Sequence, residues 1–541
     1  MDDPAFCTIE VTCGFIKGTV TLLPDGKQCY SFRGVPYAVP PTGDLRFRPP
    51  QPLHRYSERP LDCTVERSVS LASSYLPPDS VGSEDCLFLN VYSPVNPSKE
   101  ANDRIPVMVW LHGGAFCTGS GDSSIYHPEW LVREGVIVVT VNYRLGPAGF
   151  LCLPSVGIFG NMGLKDQRLA LRWVHTNIHA FGGDATNVTL FGESAGGVSA
   201  HLHCLSRGSR PLFHKVILQS GAATSPIVFQ KGPRGNTRRL AEYFGCPAEA
   251  PDSQVLDTLM NIAPELLAKH QQEALTAYER TLDHVYPFRP TVEEASAIDP
   301  IITEDVFELL KQPNAPSIPM IVGVTDGEAL YKINTFRQHI DRYKREPQRF
   351  VPDTLHVPAQ ERDAIARQII TFYCGSEEPS LRHELQLSQI FTDILYLMPA
   401  VQAAELQLQY QTGDVYFYTF SCETELNKFR QLWKVPSEYR GAGHADDVCY
   451  LFSSKFLRTD TIDVRSNAGR LRERMCSLWA NFAKTGKPSS VWKPLVRDSD
   501  PALFCLKALN IGNRELVMKE RYLDERVQFW RQLVSKYNHT Y

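Results

Sequence analysis

The residues whose types and spacing could do chemistry begin with Gly192-Glu193-Ser194-Ala195-Gly196, the one Gly-x-Ser-x-Gly pentapeptide of the chain. It follows the apolar run "NVTLF" from Asn187 and precedes "GVSAHLHCL". That context predicts a sharp turn from a strand into a helix. Such a turn crowds the residues two before and two after the serine, which favours glycine at positions 192 and 196. Ser194 would stand at a helix N-terminus, where the dipole and the amide of Ala195 stabilise a negative oxygen. The chemistry would be attack of a hydroxyl on a carbonyl. The plain alternative is a Gly/Ser turn with no chemical role.

Upstream, "VWLHGGAF" leaves another apolar run through His112-Gly113-Gly114-Ala115. A loop of this composition lets the main chain approach a substrate oxygen, and the amides of Gly114 and Ala115 are expected to join that of Ala195 in an oxyanion hole. Each such donor contributes on the order of 10²–10³ in rate. His112 reads as structural. A serine hydroxyl also needs a general base, oriented by a carboxylate. In the chain order serine, acid, histidine, the loop after "IPMIVGVT" offers Asp326 and Glu328, either of which could serve by position. The histidines beyond it are His339, His356, His383, His444 and His539. His383 lies in helical sequence and His539 is next to the last residues. His444, in "RGAGHADDVCYLF" among small and polar loop residues, suits a ring that reaches into a site, though a satisfied structural histidine is an equal rival.

These residues need a frame to hold them. Nearly continuous apolar runs start at Ile105, Gly135, Asn187, Lys215 and Ile318, and their lack of alternation predicts strands buried on both faces. Between the second and third, Leu164, Leu171, Val174, Ile178 and Phe181 recur at helical spacing and stop at Gly182-Gly183. Strands alternating with helices predict an α/β fold, a mostly parallel sheet covered on both faces, with the chemistry in loops at the carboxyl ends of strands. Helical patterns dominate roughly 252–411 and predict a cap-like insertion. No linker composition divides the 541 residues, so a single domain over 1–541 is expected.

Composition narrows the function. Hydrophobic residues make up 43% and charged residues 21%, enough for a large core. With 56 Lys and Arg against 60 Asp and Glu, net charge −4, and no long basic run, nucleic acid is not an expected partner. No 18-residue apolar run predicts a membrane span. The opening "MDDPAFCTIEVTCG" lacks a basic start and an apolar segment, and "KYNHTY" carries no anchor, so the expected location is the cytoplasm. The 14 cysteines contain no Cys-x-x-Cys pair, which disfavours a metal cluster and fits buried free thiols. Neither a metal nor an organic cofactor is implied.

Taken together, "FRGVPYAVPPTGDLRFRPP", "SEDCLFLNVYSP", "WLHGGAF", "VTVNYRLGPAGFL", "GNMGLKDQRLAL", "FGGDATNVTLFGESAGG", "VGVTDGEA" and "GAGHADDVCYLF" resemble the type-B carboxylesterase and cholinesterase family of α/β-hydrolases, over nearly the whole chain. The resemblance implies Ser194 as nucleophile, Glu328 and not Asp326 as acid, and His444 as base. The "GVTDGEA" and "GHADD" variants look most like insect intracellular carboxylesterases of xenobiotic and insecticide esters. It also implies that Cys63 and Cys86 can form the family's first disulfide, which a reducing cytosol weakens, while Cys246 lacks a partner for the second.

Departures matter too. No tryptophan lies between Cys63 and Cys86, so the cation–π recognition of choline is missing and a cholinesterase is disfavoured. Where many relatives place an acyl-pocket tryptophan, "QSGAATSPIVF" brings Ile227. The expected function is a serine carboxylic-ester hydrolase acting through an acyl-enzyme on small apolar or xenobiotic esters, with organophosphates as inhibitors. The alternatives are a slow binder that sequesters such compounds, a hormone or lipid esterase of the same family, and a family member that has lost its triad.

Overall fold

The apolar runs become neighbouring strands of one large sheet in the computed structural model, which describes residues 5–74, 77–97, 104–282, 285–312, 318–376, 378–497 and 504–538. His539 lies outside the described residues. In chain order the main strands are β1 (Ala5–Val11), β2 (Gly14–Leu22), β3 (Gln28–Pro36), β4 (Phe88–Ser93), β5 (Ile105–Leu111), β6 (Ile137–Val141), β7 (Gly183–Glu193), β8 (Lys215–Gln219), β9 (Met320–Thr325), β10 (Val415–Phe420), β11 (Ala508–Ile511) and β12 (Leu516–Lys519). Their spatial order is β1-β2-β3-β4-β6-β5-β7-β8-β9-β10-β11-β12, with the short strand Leu61–Asp62 against β2.

From β6 to β11 each neighbouring pair is parallel. The β1-to-β4 pairs, β4 with β6, and β11 with β12 are antiparallel. The sheet is thus mixed, with the expected parallel strands in its centre and antiparallel strands at both edges. Burial follows this division. All residues of β6, β9 and β10 are buried, as strands covered on both faces must be, whereas β12 alternates between exposed and half-buried positions.

Side chains of one central strand enter two different cores. Val107, Val109 and Leu111 of β5 join one, while Met108 and Trp110 join the other on the opposite face. The long helices are α1 (Met162–Asn177), α2 (Ala195–Leu205), α3 (Pro233–Tyr243), α4 (Asp252–Met260), α5 (Ile333–Arg345), α6 (Arg362–Cys374), α7 (Glu384–Thr392), α8 (Met398–Tyr410), α9 (Asn467–Thr485) and α10 (Asp524–Tyr537). The five apolar residues that predicted α1 are all fully buried. The α-helix closes at Asn177, and a 3₁₀ turn over Ile178–Phe181 carries the stripe to Gly182, whose φ of 85° ends it. Helices α3 to α8 all lie between β8 and β10 in the chain, with β9 between α4 and α5. Cys63 and Cys86 are both buried free thiols, so the bridge allowed by the resemblance is not formed. No helix among the described residues is long and apolar enough to cross a membrane.

Candidate active site

Ser194 occupies the turn between β7 and α2 with φ 55° and ψ −123°. That conformation costs an L-residue on the order of 1–3 kcal/mol and persists only where its surroundings enforce it. The enforcement is steric closeness: a Cβ on Gly192 would stand 2.4 Å from the Gly196 carbonyl carbon, and one on Gly196 only 1.9 Å from the Leu111 carbonyl oxygen of β5. Behind the turn, the Ser194 amide donates to the Gln219 carbonyl at the end of β8 (2.8 Å).

The candidate acid and base arrive from adjacent parallel strands. After β9 the chain turns into a short 3₁₀ segment that buries Glu328 completely. After β10 it passes through a short helix, Lys428–Leu432, before returning with His444. The two loops are tied together: the Gly327 amide donates to the Ala442 carbonyl (3.0 Å), and the Ala442 amide donates to Asp326 Oδ1 (2.8 Å). Asp326 therefore braces the histidine loop, while Glu328 reaches the ring. His444 Nδ1 is 2.6 Å from Glu328 Oε2, and its Nε2 is 2.9 Å from Ser194 Oγ. Glu328 Oε1 accepts from Ser220 Oγ (2.5 Å) and from the Thr325 amide (2.7 Å). Of the other histidines, His339 and His356 are exposed and His383 bonds Ser380. His112 is buried with Nδ1–H donating to the Gly113 carbonyl (2.7 Å) and its ring stacked on Tyr143. Burial pulls its pKa down to about 4, which keeps it neutral and structural.

The loop after β5 has positive φ at Gly114, Ala115 and Phe116, at 107°, 53° and 61°. Gly114 tolerates no side chain, since a Cβ would lie 2.2 Å from the Thr118 carbonyl oxygen. Gly114, Ala115 and Ala195 line the same cavity as Ser194 and His444. Among the described residues no carbonyl or side chain accepts the amides of Gly114 and Ala115, so they are free to meet a ligand oxygen.

Several residues of the site were not singled out in the sequence. Glu193, the residue before the serine, is 5% exposed and places Oε1 3.1 Å from His444 Nε2. Burial pushes its carboxyl above the usual carboxylate range, with His444 opposing the shift and Asp447 and Glu328 adding to it. For His444, burial disfavours the charged ring, but Glu193 and Glu328 outweigh it and raise its pKa above the usual imidazole range. Beneath them, Asp447 Oδ2 accepts from Gln219 Nε2 and from the Tyr418 hydroxyl (both 2.9 Å), and Gln219 Oε1 accepts from Trp479 Nε1 (3.0 Å). The Trp433 ring stacks on His444 with centroids 5.6 Å apart.

The cavity above Ser194 measures about 510 Å³ and is largely aromatic and aliphatic, with Tyr331, Tyr396, Trp433, Val228 and Ile227 among its walls. It is large enough for a drug-sized molecule. Together the geometry offers a hydroxyl, a ring nitrogen in hydrogen-bond contact with it, a buried carboxylate that orients the ring, and unpaired amides beside the hydroxyl. That set can carry out acyl transfer.

Comparison with known proteins gives the same direction. The family model described as "Carboxylesterase family" matches residues 6–530. Esterase B1 of Culex pipiens is 32% identical, over 97% of this chain and 97% of the relative. Pyrethroid hydrolase Ces2a of Mus musculus is 31% identical, over 96% of this chain and 89% of the relative. Among solved structures, juvenile hormone esterase from Manduca sexta with OTFP covalently attached superposes with a TM-score of 0.84 at 27% identity, covering 98% of this chain and 100% of that one.

Proposed function

Since the chain belongs to the carboxylesterase family and is a serine ester hydrolase, we propose that Ser194, His444 and Glu328 are its catalytic triad and that Gly114, Ala115 and Ala195 form its oxyanion hole. The observation that carries this is the unbroken hydrogen-bond chain from Glu328 Oε2 through His444 to Ser194 Oγ. Ser194 attacks the ester carbonyl while His444 Nε2 takes its proton. Glu328 fixes the proton on Nδ1 and stabilises the imidazolium that forms. The amides hold the oxyanion, collapse expels the alcohol with the proton returned by His444, and water cleaves the acyl-enzyme by the same steps.

The substrates proposed are small apolar or xenobiotic esters handled in the cytoplasm. The apolar walls of the cavity support this, as does the likeness to a relative named a pyrethroid hydrolase. Ser194→Ala is expected to abolish hydrolysis of a naphthyl or para-nitrophenyl ester, and turnover at the wild-type rate would defeat the assignment. A panel varying acyl length and alcohol size tests the substrate class. Exclusive turnover of long-chain lipid esters would count against it.

A further inference from the structure

One wall of the cavity carries a charge that the ester chemistry does not use. Arg289 lines the cavity that holds Ser194 and is 7% exposed. Its Nη1 donates to the Ile227 carbonyl, while Nε has no hydrogen-bond partner. Among the described residues no carboxylate lies within ion-pair distance of its guanidinium. Glu279 acts on it only through space, opposing the effect of burial, while its Oε2 accepts from the Thr276 amide and hydroxyl (2.9 and 2.8 Å). Burial pulls the Arg289 pKa down to about 10, so the group is a cation at neutral pH.

A guanidinium removed from water with no carboxylate in contact is a costly arrangement, and a bound anion would relieve that cost. The segment carrying it is held in place. The Arg289 carbonyl accepts from Gln230 Nε2 (2.8 Å), the Gln230 amide donates to the Pro290 carbonyl (3.0 Å), and the Thr291 amide donates to Asn161 Oδ1 (2.9 Å). The backbone that carries Arg289 is therefore fixed, and the bond from Nη1 to the Ile227 carbonyl restrains the guanidinium itself. The carboxylates near Ser194 do not pair with it: Glu193, in the cavity lining, faces His444, and Glu328 holds the other side of the imidazole.

We propose that Arg289 selects esters that carry a carboxylate at the end of an apolar arm, with the guanidinium binding that carboxylate while Ser194 attacks the ester carbonyl. This rests on Ser194 being the nucleophile, and it narrows the substrate class to anionic esters. A carboxylate fits the planar, forked donors of arginine better than a neutral group does. Arg289 is a specificity residue in this scheme and takes no part in proton transfer.

The test uses the full chain and compares mono-para-nitrophenyl esters of adipate, pimelate and suberate with the unsubstituted para-nitrophenyl alkanoates of equal length. A second pair places the carboxylate on the alcohol arm, as omega-acetoxyhexanoate against hexyl acetate. In one arm the carboxylate probe is expected to have about tenfold higher kcat/KM. Arg289→Gln should erase that ratio, and Arg289→Lys should retain part of it. Turnover of the neutral esters with no preference for a carboxylate in either arm overturns the inference and leaves the triad standing. A ratio unchanged by Arg289→Gln also overturns it. If the wild-type chain hydrolyses none of these esters, the triad reading falls first. Should Arg289→Gln not fold, inhibition of wild-type hydrolysis by free hexanoate decides the matter, and equal inhibition by hexanol overturns the proposal.

Discussion

Replacing Glu328 by glutamine separates the orienting role of the carboxylate from its mere presence. In the native site Oε1 already accepts from the Thr325 amide and from Ser220 Oγ, and Oε2 faces His444 Nδ1. A carboxamide has one acceptor oxygen and one donor nitrogen. The Thr325 amide can only donate, so the glutamine oxygen must remain on that side. The NH₂ then points at Nδ1, which must become an acceptor. The ring proton moves to Nε2 and aims at Ser194 Oγ, 2.9 Å away, where a lone pair is needed. In the serine-protease template the equivalent loss of tautomer lowers kcat about 10⁴-fold, or about 5–6 kcal/mol of barrier. Glu328→Gln should therefore melt like the wild type yet lose kcat on para-nitrophenyl acetate by that order, with the pre-steady-state nitrophenolate burst slowed in parallel. A folded variant within about tenfold of wild type would refute the reasoning, because it would mean that His444 does not depend on this carboxylate for its tautomer.

Other expectations follow from the same contacts. His444 accepts the serine proton only when neutral, so activity falls as pH drops through its raised pKa. Glu193→Gln removes a buried carboxylate beside Nε2 and should move the acidic limb of the kcat/KM profile to lower pH, and a limb that stays or rises rejects this account. Gly196→Ala forces a methyl against the Leu111 carbonyl, which leads directly into the oxyanion loop, so kcat should fall at least 10²-fold. Gly235→Ala in α3, where the nearest atom is the mobile end of Arg239 at 3.2 Å, should be tolerated, and equal outcomes for the two glycines would contradict the steric argument. Asp166→Asn strands the buried Arg144 guanidinium, which Asp166 holds through both oxygens (2.7 and 2.8 Å), and urea unfolding should register a loss of about 3–5 kcal/mol. A loss below about 1 kcal/mol would show that the pair is not needed.

The parts legible in the sequence are those set by short-range pattern. Strands β5, β8 and β9 were readable because burial on both faces leaves an unbroken apolar run, and α1 because its stripe ends on glycine. Strands β1 and β2 toward one edge of the sheet were not read, since a half-exposed antiparallel strand mixes polar residues into the pattern. The choice between Asp326 and Glu328 also lay outside short-range pattern. Both stand in one loop, and the difference is that Asp326 meets the Ala442 amide while a 3₁₀ turn carries Glu328 inward. The resemblance made the choice, and the geometry supplies a physical reason for it. Arg289 was silent for a similar reason: its burial depends on how the segment around it folds over the Ser194 cavity.

Glu193 is a different case, because a signal for it was present. Residues alternate faces along a strand, and Phe191 enters the core that holds Trp110 and Phe452, so Glu193 two positions on must start toward that same apolar face. Residues 188–193 of β7 are buried, and a carboxylate at the buried end of a strand has three outcomes: protonation, a cation, or a donor from elsewhere. The cation that becomes available at the carboxyl ends of these strands is the imidazolium formed during attack by Ser194. The identity of the residue inside the pentapeptide, read with the period of the strand before it, thus points to a second carboxylate facing the base. Its Oε1 has no hydrogen-bond donor in the resting site other than the protonated ring would provide, so its interaction with His444 strengthens when the ring takes the serine proton.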